Sequence, residues 1–121
     1  MCRQFGEDSP YTRELLQLNW SITSAPPQDA RQCELPGPGA WTPIKTLAPV
    51  AEALRTLKQW SLDHPPRRFD AVDWWYCLQL DTPPAAVGER VILGLDGLAT
   101  IARVWLNGEE LLSSNNMFVA H

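Results

Sequence analysis

The dipeptide Asn107-Gly108 constrains the fold of this chain more than any other feature of the sequence. Both central residues of a type I′ turn need a positive φ, which Asn tolerates and Gly adopts freely, so the pair predicts a two-residue β-hairpin. Upstream of it, residues 100–106 alternate between two unlike sets of side chains, which is the period of a β-strand. Residues 110–112 should therefore fold back on the end of that strand.

The two faces of this predicted strand differ in chemistry. Ala102, Val104 and Leu106 form a uniformly apolar set, whereas the other set contains Arg103. We expect the apolar set to face a core and Arg103 to point away from it. Truncation of Leu106 should then be costly, as it is for other buried leucines.

Three further segments have strand character. Residues 75–81 are aromatic and aliphatic and end at a segment with two prolines, which cannot donate to a ladder. Residues 91–95 form a second apolar run between two glycines, and residues 16–22 place apolar side chains at alternate positions. The sequence thus predicts strands at 16–22, 75–81, 91–95 and 100–106.

One helix is predicted over residues 49–60. Pro49 suits a first helical turn, where its missing N–H would be unpaired in any case. Val50, Leu54 and Leu57 follow at the spacing of one helical face, and charged residues lie on the opposite face. The expected fold is mainly β with one short amphipathic helix.

Length and charge limit the number of domains and the class of partner. A chain of 121 residues has room for one domain; we expect a loose segment over residues 1–12 and the domain over residues 13–121. The formal net charge of −4 argues against a nucleic-acid partner, because phosphate contacts need clustered Lys and Arg. The adjacent pair Arg67-Arg68 is too short to form such a cluster.

Neither a membrane span nor a secretory signal is predicted. The sequence has no apolar run of transmembrane length, and residues 1–16 lack a charged region followed by an apolar one. We therefore expect a cytoplasmic protein. Cys2, Cys33 and Cys77 are odd in number and widely spaced, so we interpret them as reduced thiols without a disulfide or zinc role.

No catalytic residue, metal ligand or cofactor site is predicted. General acid–base catalysis needs acidic side chains that are held together as a pair, and no two acidic residues of this chain are marked as such a pair. His64 lies beside two prolines and His121 has no second ligand near it in sequence, so metal binding is not expected.

Several blocks of the sequence, taken together, resemble a known family. They are the aromatic pair at 75–76, the Leu-Gly-Leu-Asp run at 93–96, the Val-Trp-Leu-Asn-Gly run at 104–108, the Asn-Met-Phe run at 116–118, and His121. In this order they resemble the N-terminal sugar-binding domain of glycoside hydrolase family 2, in its β-mannosidase-like branch.

The resemblance implies a jelly-roll-like, galactose-binding-domain-like β-sandwich that is truncated at its C-terminus, because such domains continue beyond the position of His121. It also implies that the catalytic glutamates of the parent glycosidase lie on a separate barrel far downstream, so that this chain is not catalytic alone. Its expected partners are a terminal β-linked carbohydrate and the missing catalytic barrel.

Three residues are candidates for contact with a sugar. Asp73 and Trp74 combine a carboxylate with a flat aromatic face, which can stack on a sugar ring. Asn116 falls in a segment that lies close to the mouth of the barrel in the resembled family. The alternatives are strand-entry capping for Asp73 and Trp74, and for Asn116 a turn that is followed by Phe118 as a core residue. Of the other tryptophans, Trp41 and Trp60 lie near predicted loops.

A second class of function remains open from the sequence. The chain could be a free-standing carbohydrate-binding module or a strand-pairing interaction module. A sandwich that lacks strands has open sheet edges, and such edges are templates for pairing with another chain. Self-association through those edges is therefore also expected.

Overall fold

The chain forms two compact units, Met1–Leu80 and Asp81–His121. The structure is a computed structural model, and it describes residues 12–29, 32–82 and 84–121. Apart from residue 12, the segment predicted to be loose lies outside the described residues. The single domain over residues 13–121 stays a prediction.

The first unit is built on a three-stranded antiparallel sheet. Its strands are β1 (Trp20–Ala25), β2 (Thr42–Ile44) and β3 (Asp73–Leu78), in the order β2-β1-β3. The central strand β1 pairs with β3 along its whole length, from Trp20 opposite Leu78 to Ala25 opposite Asp73. The strand predicted at 75–81 is therefore present but begins and ends earlier, because its pairing with β1 sets both limits.

The start of β1 differs from the strand predicted at 16–22. Asn19 has φ 64°, a left-handed conformation that interrupts a strand. Before it the backbone turns, and the indole Nε1 of Trp20 donates to the carbonyl oxygen of Leu16 at 2.8 Å. The alternation upstream of Asn19 is therefore not part of a ladder, and Leu18 is exposed.

The predicted helix is confirmed in a shorter form. Helix α1 (Val50–Thr56) has Pro49 as its N-cap and Leu57 as its C-cap. It ends in two reversed hydrogen bonds, from the N–H of Gln59 to Leu54 O and from the N–H of Lys58 to Arg55 O, with Lys58 at φ 57°. This is the Schellman arrangement, which satisfies carbonyl groups that the helix leaves without partners.

The core of the first unit lies between the sheet and α1. Ile22, Ile44 and Ala53 are buried and pack together, and Leu54 is buried as well. The side chains that flank this cluster are partly exposed: Trp20, Val50, Leu57, Trp74 and Tyr76. The helical face predicted from the sequence is thus the face that packs on the core.

Tyr76 connects the sheet to the segment before α1. Its hydroxyl donates a hydrogen bond to the carbonyl oxygen of Ala48 at 2.8 Å. Burial raises the pKa of Tyr76 above its usual value, because the phenolate would lose hydration. A raised folded-state pKa contributes stability below the unfolded-state pKa of about 10, and that stability is lost as the pH rises through the folded value.

We therefore expect Tyr76→Phe to reduce the dependence of stability on alkaline pH. Below pH 10 the variant should lose about 0.5–1.5 kcal/mol for the hydrogen bond to Ala48, and this deficit should shrink as the pH approaches 11. Urea unfolding of both proteins at several pH values between about 8 and 11 measures the difference. A deficit that stays constant over this range would contradict the assignment.

The second unit contains the predicted hairpin. Strands β4 (Ala102–Leu106) and β5 (Glu109–Ser114) pair antiparallel. Between them Asn107 has φ 52° and Gly108 has φ 86°, the two positive values that a type I′ turn requires. The hairpin prediction is confirmed.

The prediction of which face of β4 is buried is wrong at the end of the strand next to the turn. Leu106 is 50% exposed, whereas the Arg103 side chain is only 24% exposed. Leu106 lies directly beside the turn, at the tip of a two-stranded sheet, where no third strand covers it among the described residues. The register of the strand pair also shifts between Val104 and Trp105, so that Leu111 has no residue opposite it on β4. Such a bulge ends simple alternation along the pair.

Arg103 is held across the hairpin. Its guanidinium donates to the carboxylate of Glu110 on β5 and lies 5.0 Å from the ring centroid of Trp105. Because the charge is paired and the side chain covers an aromatic face, Arg103 can be partly buried despite its charge. Alternation of residue types does not reveal this contact.

The strand predicted at 91–95 is not formed. These residues adopt no regular structure, although Leu95 exchanges two backbone hydrogen bonds with His121, at 2.8 and 2.9 Å. A strand needs a neighbouring backbone that pairs with its own, and among the residues that the structure describes only Leu95 of this segment has such a pairing. The predictions of a mainly β fold and of one short helix are both confirmed. In the described ranges, no helix is long and apolar enough to cross a membrane.

Candidate functional site

The first unit carries an aromatic cluster made of Trp60, Phe69 and Trp74. The rings of Trp60 and Phe69 meet edge to face with centroids 5.3 Å apart, and those of Phe69 and Trp74 are 6.3 Å apart at a tilt of 53°. Arg67 lies over two of these rings, 5.7 Å from the Phe69 centroid and 5.6 Å from that of Trp74. We call the three rings the aromatic cluster, and the guanidinium of Arg67 lies over it.

Local structure fixes the position of Trp74 within the cluster. Trp74 lies opposite Ser24 of β1, and its ring packs against the core. Its indole Nε1 donates to the carbonyl oxygen of Phe69 at 2.8 Å. Phe69 begins a single 3-10 turn, Phe69–Ala71, just before β3. The hydrogen bond therefore holds the turn against the strand and brings the two rings together.

Polar groups surround the aromatic cluster. The guanidinium of Arg67 is exposed and makes no ion pair within the described residues, so its N–H groups are open to solvent or a ligand. Next to it, Arg68 donates to Asp70 at 3.1 Å, and this hydrogen bond lowers the pKa of the Asp70 carboxyl group. An acid with a lowered pKa is ionised at neutral pH and is a poor proton donor, so Asp70 is unsuited to act as a general acid.

Trp60 contributes an unusual polar atom. Its indole Nε1 is buried and has no hydrogen-bond acceptor within the described residues. An unpaired buried donor costs about 1–3 kcal/mol. The edge-to-face contact with Phe69 offsets part of this cost.

Asp73 starts β3 and is used by a neighbouring loop. Its Oδ2 accepts a hydrogen bond from the backbone N–H of Gln28 at 3.0 Å. The Gln28 side chain in turn exchanges two hydrogen bonds with the backbone of Glu34. The Asp73 carboxylate thus ties the loop after β1 to the start of β3, and its remaining oxygen, Oδ1, makes no hydrogen bond within the described residues.

The structure does not bring Asp73 and Trp74 to one surface. Both belong to β3, and successive side chains of a strand point to opposite faces. A ligand stacked on Trp74 would therefore meet Arg67 rather than Asp73. From the sequence alone, Arg67 and Phe69 belong to a connecting segment and were not identified as site residues. Their position just before an aromatic strand is the signal that could have identified them.

Asn116 belongs to a polar turn in the second unit. Its Oδ1 accepts from the backbone N–H of Phe118 at 3.0 Å, and its own N–H donates to Ser114 Oγ at 3.3 Å. Ser114 Oγ is buried and lies 3.0 Å from Nε2 of His121. The turn therefore uses the side-chain carbonyl oxygen of Asn116 and leaves the two N–H donors of its amide group for solvent or a ligand. The alternative that Phe118 fills a core is wrong, because its side chain is 90% exposed.

The ionisable residues form no metal site within the described residues. No group of three or more His, Cys, Asp or Glu side chains comes together there. Cys33 and Cys77 are free thiols.

Comparison with known proteins gives one consistent result. Residues 20–121 match the family described as glycosyl hydrolase 2 galactose-binding domain-like. The chain is 32% identical over 114 residues to a protein named β-mannosidase B of Aspergillus flavus, which covers 88% of this chain and 12% of that protein. The similarity to the β-mannosidase B of Aspergillus terreus is 31% over 119 residues, or 92% of this chain and 13% of the relative.

A shorter match with higher identity involves Thermothelomyces thermophilus. Its β-mannosidase B is 44% identical over 48 residues, which is 40% of this chain and 6% of the relative. No solved structure matches the chain significantly. The chain spans only about an eighth of the length of the curated relatives that it matches most fully. The family match and the identity over most of the chain show that this protein belongs to the glycoside hydrolase family 2 galactose-binding-like domains, of the β-mannosidase-like type.

Proposed function

We propose that this chain is the non-catalytic sugar-binding domain of a β-mannosidase-like glycoside hydrolase, in which it lines one side of a pocket for a terminal β-linked sugar. The observation that carries the proposal is the aromatic cluster with its exposed guanidinium, in a chain of a galactose-binding-like family. Aromatic faces stack on sugar rings, and a planar donor such as Arg67 bonds hydroxyl oxygens.

The names of the relatives support the choice of sugar. Proteins that resemble this chain over most of its length are called β-mannosidases. A β-mannoside presents one ring face for stacking and several hydroxyl groups for hydrogen bonds. Arg67 can donate to such hydroxyls in the first unit, and the amide of Asn116 can do so in the second.

Binding is tested by titrating the isotope-labelled chain with methyl β-mannoside and following its nuclear magnetic resonance spectrum. We expect the indole resonance of Trp74 and the guanidinium resonance of Arg67 to shift together as the sugar is added. The dissociation constant should be about 1 mM, because a single stacked ring provides only weak binding. The polyol inositol, which has hydroxyls but no glycosidic group, is the control ligand. Unchanged resonances at both residues with the mannoside would refute the site in the first unit.

The candidate polar residues have matched control variants in the chain. Asn116→Ala should weaken binding about threefold to tenfold if its amide contacts the sugar, whereas Asn115→Ala should not. Asp73→Asn is compared in the same way with Asp63→Asn, a change in an exposed loop. Thermal unfolding of each variant separates lost binding from lost structure. If each candidate behaves as its control does, neither residue contacts sugar.

The absence of catalysis is part of the same proposal. The purified chain should show no turnover of an aryl β-mannoside or β-galactoside at any pH, because hydrolysis needs a paired acid and nucleophile that the family carries on its catalytic barrel. Turnover that disappears on substitution of a carboxylate of this chain would overturn the proposal. We also propose a cytoplasmic location, which cell fractionation can check.

A further inference from the structure

The turn at Asn107-Gly108 is open to solvent on both of its residues. Both are exposed, and open space surrounds the position that a Cβ atom would take on Gly108. Within the described residues, the Asn107 side-chain amide makes no hydrogen bond, and the Gly108 N–H donates none. The carboxamide of Asn107 is therefore free to rotate, and the backbone nitrogen that follows it is unprotected.

This arrangement allows a reaction between the two residues. The Gly108 nitrogen, after it loses its proton to hydroxide, attacks Cγ of Asn107 and closes a succinimide ring. The Cγ–Nδ2 bond breaks, and Nδ2 takes a proton from water and leaves as ammonia. Water then opens the ring at either carbonyl group, which gives an aspartate or, when the side-chain carbonyl stays in the backbone, an isoaspartate. The sum of the steps exchanges ammonia for water and consumes no oxidant or cofactor, which is why asparagine is a thermolabile residue.

Glycine after the asparagine favours ring closure. It has no Cβ atom to crowd the ring, and it samples more backbone conformations than any other residue. The turn also lies at the tip of a two-stranded sheet, where local opening does not require the loss of a packed core. The Asn107-Gly108 link can therefore reach the ring-closing geometry while the rest of the unit stays folded.

The other three asparagines of the chain are placed less favourably. Asn19 precedes Trp20, whose large side chain crowds the ring. The nitrogen that follows Asn115 donates to Ser114 Oγ at 3.3 Å, and Oδ1 of Asn116 accepts a backbone N–H at 3.0 Å. Each of these contacts must break before a succinimide can form, so the chain contains its own comparison sites.

We propose that Asn107 is a site of spontaneous deamidation and that an isoaspartate formed there opens the β4–β5 hairpin. An isoaspartate adds one carbon atom to the backbone of a two-residue loop, whose geometry then no longer matches the twist of the strands. The new carboxylate also lies beside Glu109 and Glu110, and Arg103 is already paired with Glu110. The longer backbone and the repulsion between like charges therefore act in the same direction.

Opening of the hairpin reaches the polar turn at the end of β5. Ser114 is the last residue of β5 and lies opposite Ala102. Its Oγ accepts the N–H of Asn116 and lies 3.0 Å from Nε2 of His121. Loss of the strand pairing removes the support for these contacts, so the modification of one exposed side chain changes the environment of Asn116 as well.

The site is located by ageing the complete chain in a warm, mildly alkaline buffer. Trypsin cleaves after Arg103, and the peptide that begins at Val104 contains Asn107, Asn115 and Asn116 together. Mass spectrometry of its fragments shows where NH has been replaced by O, and isoaspartate is detected by enzymatic methylation of its carboxylate. Conversion should be about tenfold faster at Asn107 than at the other two, because their hydrogen bonds must first break.

The effect on the hairpin is measured by amide hydrogen exchange. The isoaspartate form is separated from fresh protein by ion exchange, because it carries an additional negative charge. The amides of β4 and β5 nearest the turn should exchange about tenfold faster in this form, while those of β1 and β3 in the first unit should not change.

Two variants separate the causes of opening. Asn107→Gly keeps a dipeptide that type I′ turns accept but has no carboxamide, so ageing should leave its hairpin exchange unchanged. Asn107→Asp adds the charge without the additional backbone carbon, and because Asp-Gly also suits a type I′ turn, the fresh variant should keep most of its protection.

Three results would each overturn the proposal. The first is conversion at Asn115 or Asn116 that is as fast as at Asn107. The second is an isoaspartate form whose β4 and β5 amides exchange no faster than those of fresh protein, and the third is a fresh Asn107→Asp variant that is as open as the isoaspartate form. None of these measurements uses a sugar, so the deamidation site and the sugar site can fail independently.

Discussion

Ile22→Ala should lower the free energy of unfolding of the first unit by about 2–5 kcal/mol. Ile22 is only 2% exposed and lies on the central strand β1, where it packs with Ile44 and with Ala53 of α1. Removal of three carbon atoms there leaves a cavity between the sheet and the helix. A small unit has few other buried side chains to offset the loss, so urea unfolding should begin at a much lower midpoint.

Two further variants make the interpretation of this result secure. Ile22→Val removes one carbon atom and should cost about 0.5–1.5 kcal/mol. Leu62→Ala removes as many carbon atoms as Ile22→Ala, but from a side chain that is 81% exposed. It should change the free energy of unfolding by less than about 0.5 kcal/mol. If Ile22→Ala costs no more than Leu62→Ala, the core does not lie between β1 and α1.

Local signals in the sequence predicted the hairpin and the helix. The turn at Asn107-Gly108 needs only two residues with positive φ, and both have it. Helix α1 follows from the periodic apolar face that begins at Val50. These elements have their hydrogen bonds within a few residues, so nearby sequence contains nearly all the information that determines them.

Errors arose where a strand depends on a distant partner. Residues 91–95 have the composition of a strand, but the structure pairs only Leu95, and it does so with a residue that is 26 positions away by sequence number. The interruption of β1 at Asn19 and the bulge after Val104 depend on single backbone conformations. Composition and alternation do not specify either of them.

The candidate site was predicted in part. Aromatic richness pointed to Trp74, but its partners were not evident, because Arg67 and Phe69 reach it only through the 3-10 turn before β3. Asp73 is adjacent in sequence and yet faces the other side of the strand. The sequence suggested that Asp73 and Trp74 act together because they are adjacent, but adjacent residues of a strand point to opposite faces. The assignment of Asp73, Trp74 and Asn116 to sugar binding stays a prediction.

Trp74→Ala should be the second most damaging change, with a cost of about 3 kcal/mol, at the low end for truncated aromatic residues because the ring is half-buried. The substitution removes packing against the core and the contact with Phe69, and it also removes the donor to the Phe69 carbonyl oxygen. Urea unfolding measures the loss. Near-ultraviolet circular dichroism should also change, because Phe69, which contacts Trp60, loses its contact with the Trp74 ring.

Trp74→Phe separates the ring from its hydrogen bond. The variant keeps an aromatic face against Phe69 and under Arg67, but it has no N–H to donate, so it should lose only about 1 kcal/mol. If stacking on this face recognises a sugar, Trp74→Phe should retain weakened binding of methyl β-mannoside while remaining folded at the temperature of the titration. A variant that is as unstable as Trp74→Ala would show instead that the hydrogen bond to Phe69, rather than the ring, holds the 3-10 turn against β3.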